Sequence, residues 1–148
     1  MDQRFMDLAY AEAVAASLRH EVPVGAVLVD AEGEVLAKNG NRTIELSDPS
    51  AHAEILALRA GGARQGNYRL AGATLFVTLE PCLMCMGAMI HARLARLVFA
   101  ALDPKAGAAC SRYQIGRDQL LNHTLVIDQG PMAIECGDLL RDFFRARR

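Results

Sequence analysis

Three nearly unbroken apolar runs constrain the fold of this chain more than any other feature: VPVGAVLVD at 22–30, ATLFVTL at 73–79 and RLVFAAL at 96–102. Runs of this kind, without polar alternation, read as strands covered on both faces. A sheet built from them needs helices on each side. The segments between supply those helices. Residues 3–20 repeat apolar side chains at helical spacing through Phe5, Leu8, Ala9, Val14 and Leu18. A turn at Asp30–Gly33 leads to a second strand, EVLAKN, which closes a hairpin. The polar loop 42–50 ends in Asp48, Pro49 and Ser50, all helix-start residues, and the helix AHAEILALRA follows and stops at Gly61–Gly62.

The second half continues the alternation. A helix MCMGAMIHAR comes just after Pro81, a loop rich in Gly and Ala runs from Asp103 to Gly116, and TLVIDQ at 124–129 reads as a fifth strand. The last helix begins with Pro131 in its first turn. The expectation is a three-layer α/β/α fold with a mixed five-stranded sheet flanked by helices. At 148 residues, without repeats or a linker, it forms a single domain over 1–148. The helix at 84–93 is apolar nearly all round, which fits a subunit interface or deep burial equally.

Composition excludes some functions. No apolar run reaches the length that spans a bilayer, and MDQRFMDLAY has no signal-peptide pattern. The expected location is the cytoplasm, with no membrane, where thiols stay reduced. Net charge is −1, so the overall field does not favour nucleic acid. The C-terminal RDFFRARR nevertheless holds four arginines against one aspartate, either a solvated helix end or a basic contact surface.

The chemistry is concentrated in EPCLMC at 80–85. Cys82 and Cys85, three apart at the start of a helix, present both sulfurs on one side, and the helix N-terminus favours their thiolates. Pro81 helps the strand turn sharply into the helix. Alone, the pair fits half of a zinc site, a redox dithiol or two packed core residues. The segment AHAEI adds His52 and Glu54 at the start of another helix. One histidine and two cysteines make three ligands, the number a catalytic zinc site uses while leaving a fourth position for water. Glu54 is either a favourable partner for the helix dipole or a proton carrier beside that site.

The pattern H-A-E followed by P-C-x-x-C resembles the zinc-dependent nucleoside and nucleobase deaminases. The segments NR at 41–42, DPSAHAEILALR at 48–59, NYRL at 67–70, TLEPCLMCMGAMIHAR at 78–93 and DPKAGAACS at 103–111 are similar to one branch, the bacterial tRNA-specific adenosine deaminases. The likeness runs over about residues 20–148. It implies a cytidine-deaminase-like fold and one zinc ion per chain, held by His52, Cys82 and Cys85, with Glu54 as the catalytic proton carrier. The implied substrate is the wobble adenosine of a tRNA anticodon stem-loop, converted to inosine. The same resemblance implies that Asn41 and the Ala53 N–H recognise the base and that Val24 packs beside it. It also implies that Asp103 and Lys105 contact flanking nucleotides, that Phe144, Arg145 and Arg148 touch the stem-loop, and that the enzyme is a homodimer.

The chain departs from the branch at Leu102, Pro104, Ala106 and Cys110; the last stands where relatives usually carry glycine, and a positive φ there would strain a cysteine. A free nucleobase deaminase of guanine type shares the zinc motif and is the alternative enzyme. A non-catalytic zinc-stabilised RNA-binding protein would leave Glu54 and the open fourth position unused, and a redox module would leave H-A-E unused.

Overall fold

The computed structural model describes residues 1–147, so Arg148 lies outside the described residues. The elements in chain order are α1 (Asp2–Leu18), β1 (Gly25–Val29), β2 (Val35–Gly40), α2 (Ala53–Gln65), β3 (Thr74–Leu79), α3 (Leu83–His91), β4 (Arg96–Ala101), β5 (Val126–Gln129) and α4 (Ala133–Arg145). The five strands form one sheet in the order β2-β1-β3-β4-β5. β1 pairs antiparallel with both β2 and β3, and β3, β4 and β5 run parallel, so the sheet is mixed.

Strand alternation divides the core into two layers. Ala26, Leu28, Leu75, Val77, Leu97 and Phe99 face α2 and α3. Val27, Val29, Phe76, Val98 and Ala100 face the other way, onto Phe5, Met6 and Ala9 of α1 and Cys136 of α4. Every residue of β1 is buried, as expected of a strand covered on both faces. Among the described residues no helix is long and apolar enough to cross a membrane.

Four elements differ from the sequence expectation, each for a local reason. The buried stripe of α1 is Phe5, Met6, Ala9, Ala13 and Ala16, while Leu18 is 77% exposed. Small residues win because α1 crosses β1 at backbone distance: a Cβ on Gly25 would strike the Ala9 carbonyl and the Ala13 nitrogen. Helix α2 runs straight through Gly61–Gly62 and stops only at Gly66, whose φ of 68° forms the left-handed cap. Gly61 is there for packing, since a side chain would collide with Leu28. β5 is only four residues long and begins at Val126. α4 starts at Ala133, so Pro131 precedes the helix and Met132, at φ 73°, forms its N-cap.

One ion cluster ties the two halves of the chain together. Arg96, at the start of β4, donates to both carboxylate oxygens of Asp2 in α1 at 3.1 and 2.9 Å, and its Nε donates to Asp128 of β5 at 2.9 Å.

Candidate active site

The sheet order puts the ends of β2 and β3 beside the first turns of α2 and α3. His52 is the N-cap of α2, with extended backbone at φ −71° and ψ 152°. Cys82 is the N-cap of α3, also extended, and Cys85 lies three residues on in its first turn. His52 Nδ1 is 3.6 Å from each sulfur. The three potential ligand atoms all lie within 4.8 Å of one another, and among the described residues no other His, Cys, Asp or Glu joins them. Two sulfurs and one imidazole nitrogen in this arrangement suit a zinc ion with a fourth position open to a small molecule. Cys110 and Cys136 stay outside the cluster, as their lack of motif spacing predicts.

The protonation chemistry of the cluster fits this reading. A hydrogen bond from the Cys85 thiol, reinforced by His52, draws the Cys82 pKa down to about 4. The same bond to Cys82, together with burial, pushes the Cys85 thiol up. Bonding to Cys82 raises His52. The cluster is therefore built around a thiolate, the form that binds metal. Glu54, second residue of α2, is only 4% exposed, and burial pushes its carboxyl up to about 6. His52, Cys82 and Cys85 all act electrostatically on its carboxyl, which therefore lies beside the cluster. A carboxyl that titrates near neutral pH can both accept and return a proton.

Asn41, just after β2, is buried, and its side-chain oxygen accepts the Ala53 N–H at 3.0 Å. The Asn41 N–H donates to the Val24 carbonyl at 3.1 Å, and Val24 is buried beside it. The structure thus joins Val24, Asn41 and Ala53 into one wall next to His52. Here the Ala53 N–H is engaged by Asn41, while the amide NH2 of Asn41 is left to donate.

A second group gathers in a groove between the segment after β4 and α4. Leu102, Asp103, Lys105, Phe144 and Arg145 line it, with Arg141. Phe144 is 47% exposed. Phe143 is half-buried and stacks edge-on against Phe144, and the Arg147 guanidinium lies 3.7 Å from its ring centre. Neither phenylalanine belongs to the core. Cys110 does not have a positive φ, so the strain that a glycine replacement raised does not arise.

Two buried carboxylates to which the sequence assigned no role hold neighbouring loops in place. Glu21, 1% exposed, accepts the N–H groups of Ile44 and Glu45 at 3.2 and 2.8 Å and so fixes the loop after Asn41. Glu80, 2% exposed, does the same for the segment after β4. Burial works to raise Glu80, but bonds from the Ser111 hydroxyl and from the N–H groups of Ser111, Cys110 and Asp103 outweigh it and hold the carboxyl below the usual range. The available signal was an acid closing a buried strand opposite a segment of small residues, DPKAGAACS.

Comparison with known proteins adds to this geometry. Residues 1–101 match the family model of the cytidine and deoxycytidylate deaminase zinc-binding region. The chain is 48% identical over 147 residues to the tRNA-specific adenosine deaminase of Haemophilus influenzae, over 99% of this chain and 85% of that protein. It is similar, at TM-score 0.89 and 45% identity, to a solved tRNA:A34 deaminase studied for A-to-I editing at the wobble position of transfer RNA, over 93% of this chain and 99% of that one. A guanine deaminase from Bacillus subtilis superposes at TM-score 0.66 with 27% identity, over 98% of this chain and 92% of that one.

Proposed function

Because the chain belongs to the cytidine and deoxycytidylate deaminase zinc-binding family, we propose that it deaminates the wobble adenosine of a tRNA anticodon stem-loop. The reaction is adenosine plus water giving inosine plus ammonia. The observation that carries the reading is the compact His52, Cys82 and Cys85 cluster with the buried Glu54 carboxyl beside it. The high identity to tRNA deaminases along nearly the whole chain supports RNA over a free base.

In this reading His52, Cys82 and Cys85 hold one zinc ion. When bound, zinc supplies the Lewis acidity that makes water a nucleophile near neutral pH. Glu54 carries the protons: it takes one from the attacking water and delivers it to N1 of the adenine ring, then takes the remaining one from the new C6 hydroxyl and delivers it to the amino group as the C6–N bond breaks and ammonia leaves. Its environment suits this role, since burial leaves it near neutrality instead of fully ionised. Asn41 donates its amide to the base, the Ala53 N–H lies beside it, and Val24 packs against the ring. The wobble base is already in a single-stranded loop, so extruding it requires little unstacking.

Asp103, Lys105, Phe144 and Arg145 contact nucleotides around the target in the groove between the loop and α4; Arg148, outside the described residues, is proposed as a further contact on the resemblance alone. Leu83 and Met84, exposed at the start of α3, form the apolar face of a homodimer, and Tyr68, beside Ala88 and His91 at the other end of that helix, extends it. The unit acts as a single domain over 1–148 and works in the cytoplasm, where tRNA is matured.

Incubating the zinc-loaded chain with an anticodon stem-loop carrying a wobble adenosine, and scoring inosine by nucleoside mass spectrometry, tests this reading. Inosine at the wobble position alone is the expected result. Turnover of free guanine or adenine with no inosine in the RNA would replace the proposal with free-base deamination.

A further inference from the structure

Glu80 is the residue between β3 and the Pro81–Cys82 turn, and its carboxylate receives donors from both ends of one segment. Oε1 accepts the Asp103 N–H at 3.1 Å and the Ser111 hydroxyl. Oε2 accepts the N–H groups of Ala109, Cys110 and Ser111 at 3.2, 2.8 and 2.8 Å. Residues 103 to 111 therefore close a ring around one buried charge. Gly107 lies directly against that carboxyl, and a Cβ there would overlap its carbon and both oxygens. The main chain reinforces the closure: Glu80 N–H donates to Ala101, Ala108 N–H to Pro81, and Gly107 N–H to Asp103, each at 2.8 Å.

The ring transmits its order to the groove. Asp103 Oδ1 accepts the N–H groups of Lys105 and Ala106 at 3.1 and 3.2 Å, so fixing Asp103 also fixes the backbone of Lys105. Both residues line the groove shared with α4. Only an ionised carboxylate suits the place, because it accepts at every lone pair and donates nothing. An amide of the same shape would turn an NH2 toward backbone N–H groups.

We propose that Glu80 is a positioning residue: it holds the 103–111 segment in the shape that presents Asp103 and Lys105 to the RNA, and it sets the affinity for the polynucleotide instead of the rate of C–N cleavage. This inference rests on the wobble-adenosine reading.

Glu80→Gln and Ser111→Ala, made in the zinc-loaded full chain, test it through three readouts: zinc per chain, steady-state kinetics on the stem-loop, and amide hydrogen exchange. Glu80→Gln is expected to retain zinc and to speed exchange at residues 103 and 109–111. KM for the stem-loop should rise about tenfold, the scale of one lost charge-assisted hydrogen bond, with kcat within about threefold. Ser111→Ala should shift KM and exchange in the same direction by less. If Glu80→Gln does not fold, Ser111→Ala carries the same test. An unchanged KM would overturn the proposal. So would a fall in kcat at constant KM, or loss of zinc, because Glu80 would then be acting through the Cys82 turn. Absence of inosine from the native chain would overturn the deaminase reading instead; unchanged exchange in both variants would then still overturn the fastening role.

Discussion

The Asn41 side-chain oxygen accepts the N–H of Ala53 at 3.0 Å, and this one bond joins the end of β2 to the first turn of α2 beside His52. Both partners are buried, so removing the acceptor strands a donor away from water. Asn41→Ala should therefore lower unfolding stability by about 1–3 kcal/mol, read from the denaturant midpoint at constant slope. Asn41→Asp, which keeps the acceptor but lacks the amide NH2, should lose less stability than Asn41→Ala and still lower kcat/KM on the stem-loop.

Glu54 occupies a site where burial disfavours its charge. Glu54→Gln preserves shape and removes the ionisable proton. Inosine formation should drop about 100- to 10,000-fold while zinc content and the circular dichroism spectrum stay unchanged. Activity within a few-fold of the native chain would show that another group carries the proton.

Zinc content separates the cluster residues Cys85 and His52 from Cys110. Cys85→Ser and His52→Ala should each reduce zinc, measured by plasma mass spectrometry, from about one per chain toward zero. Cys110→Ser should leave it unchanged, since Cys110 is outside the cluster. Chelation should also lower the melting temperature of the native chain, because an ion that binds only the folded state stabilises it.

The Arg96–Asp2 pair governs part of the acid response. The Arg96 hydrogen bond is the main cause that holds Asp2 below the ordinary carboxylate value, against the opposing effect of burial. A lowered folded pKa contributes stability at pH values above the unfolded pKa, about 3.9, and that contribution is lost as pH falls through the folded value. Arg96→Met should therefore flatten the pH dependence of stability below about pH 4. The side chains are about one-third exposed, so added salt should shrink the difference.

The basic end of α4 has a salt signature. Arg145 pairs loosely with Asp142 at 3.8 Å and is largely exposed. Arg145→Ala should weaken stem-loop binding and reduce the slope of log affinity against log salt by about 0.7–0.9. A slope equal to that of the native chain would remove Arg145 from the phosphate contacts.

What the sequence made legible follows from the range of each interaction. The strands at 25–29, 74–79 and 96–101 were readable because burial on both faces leaves an unbroken apolar run. His52, Cys82 and Cys85 were readable because ligand spacing is local, and the cluster joins just two such local patterns. The stripe on α1 was misread because it depends on partners: Gly25, seven residues beyond the helix, and Gly40 of β2 bring the sheet backbone against Ala9, Ala13 and Ala16, so alanines and not Leu18 face the sheet. Gly61–Gly62 looked like a stop for the same reason, since Leu28 requires the space. Glu21 and Glu80 escaped notice because their donors lie 22 to 31 residues away and are mostly backbone N–H groups, which every non-proline residue carries.

That last property has a consequence for how the enzyme can change. Four of the five donors to Glu80 belong to the main chain, so the scaffold of the 103–111 segment is indifferent to most of the side chains it displays. Leu102, Pro104, Ala106 and Cys110 can differ from those of relatives while the frame persists; Pro104, which has no N–H, occupies a position from which Glu80 asks for none. A randomised library over 102, 104, 105 and 106, with Glu80, Gly107 and Ser111 held constant, would vary the substrate face over a constant framework, much as variable loops do on an antibody.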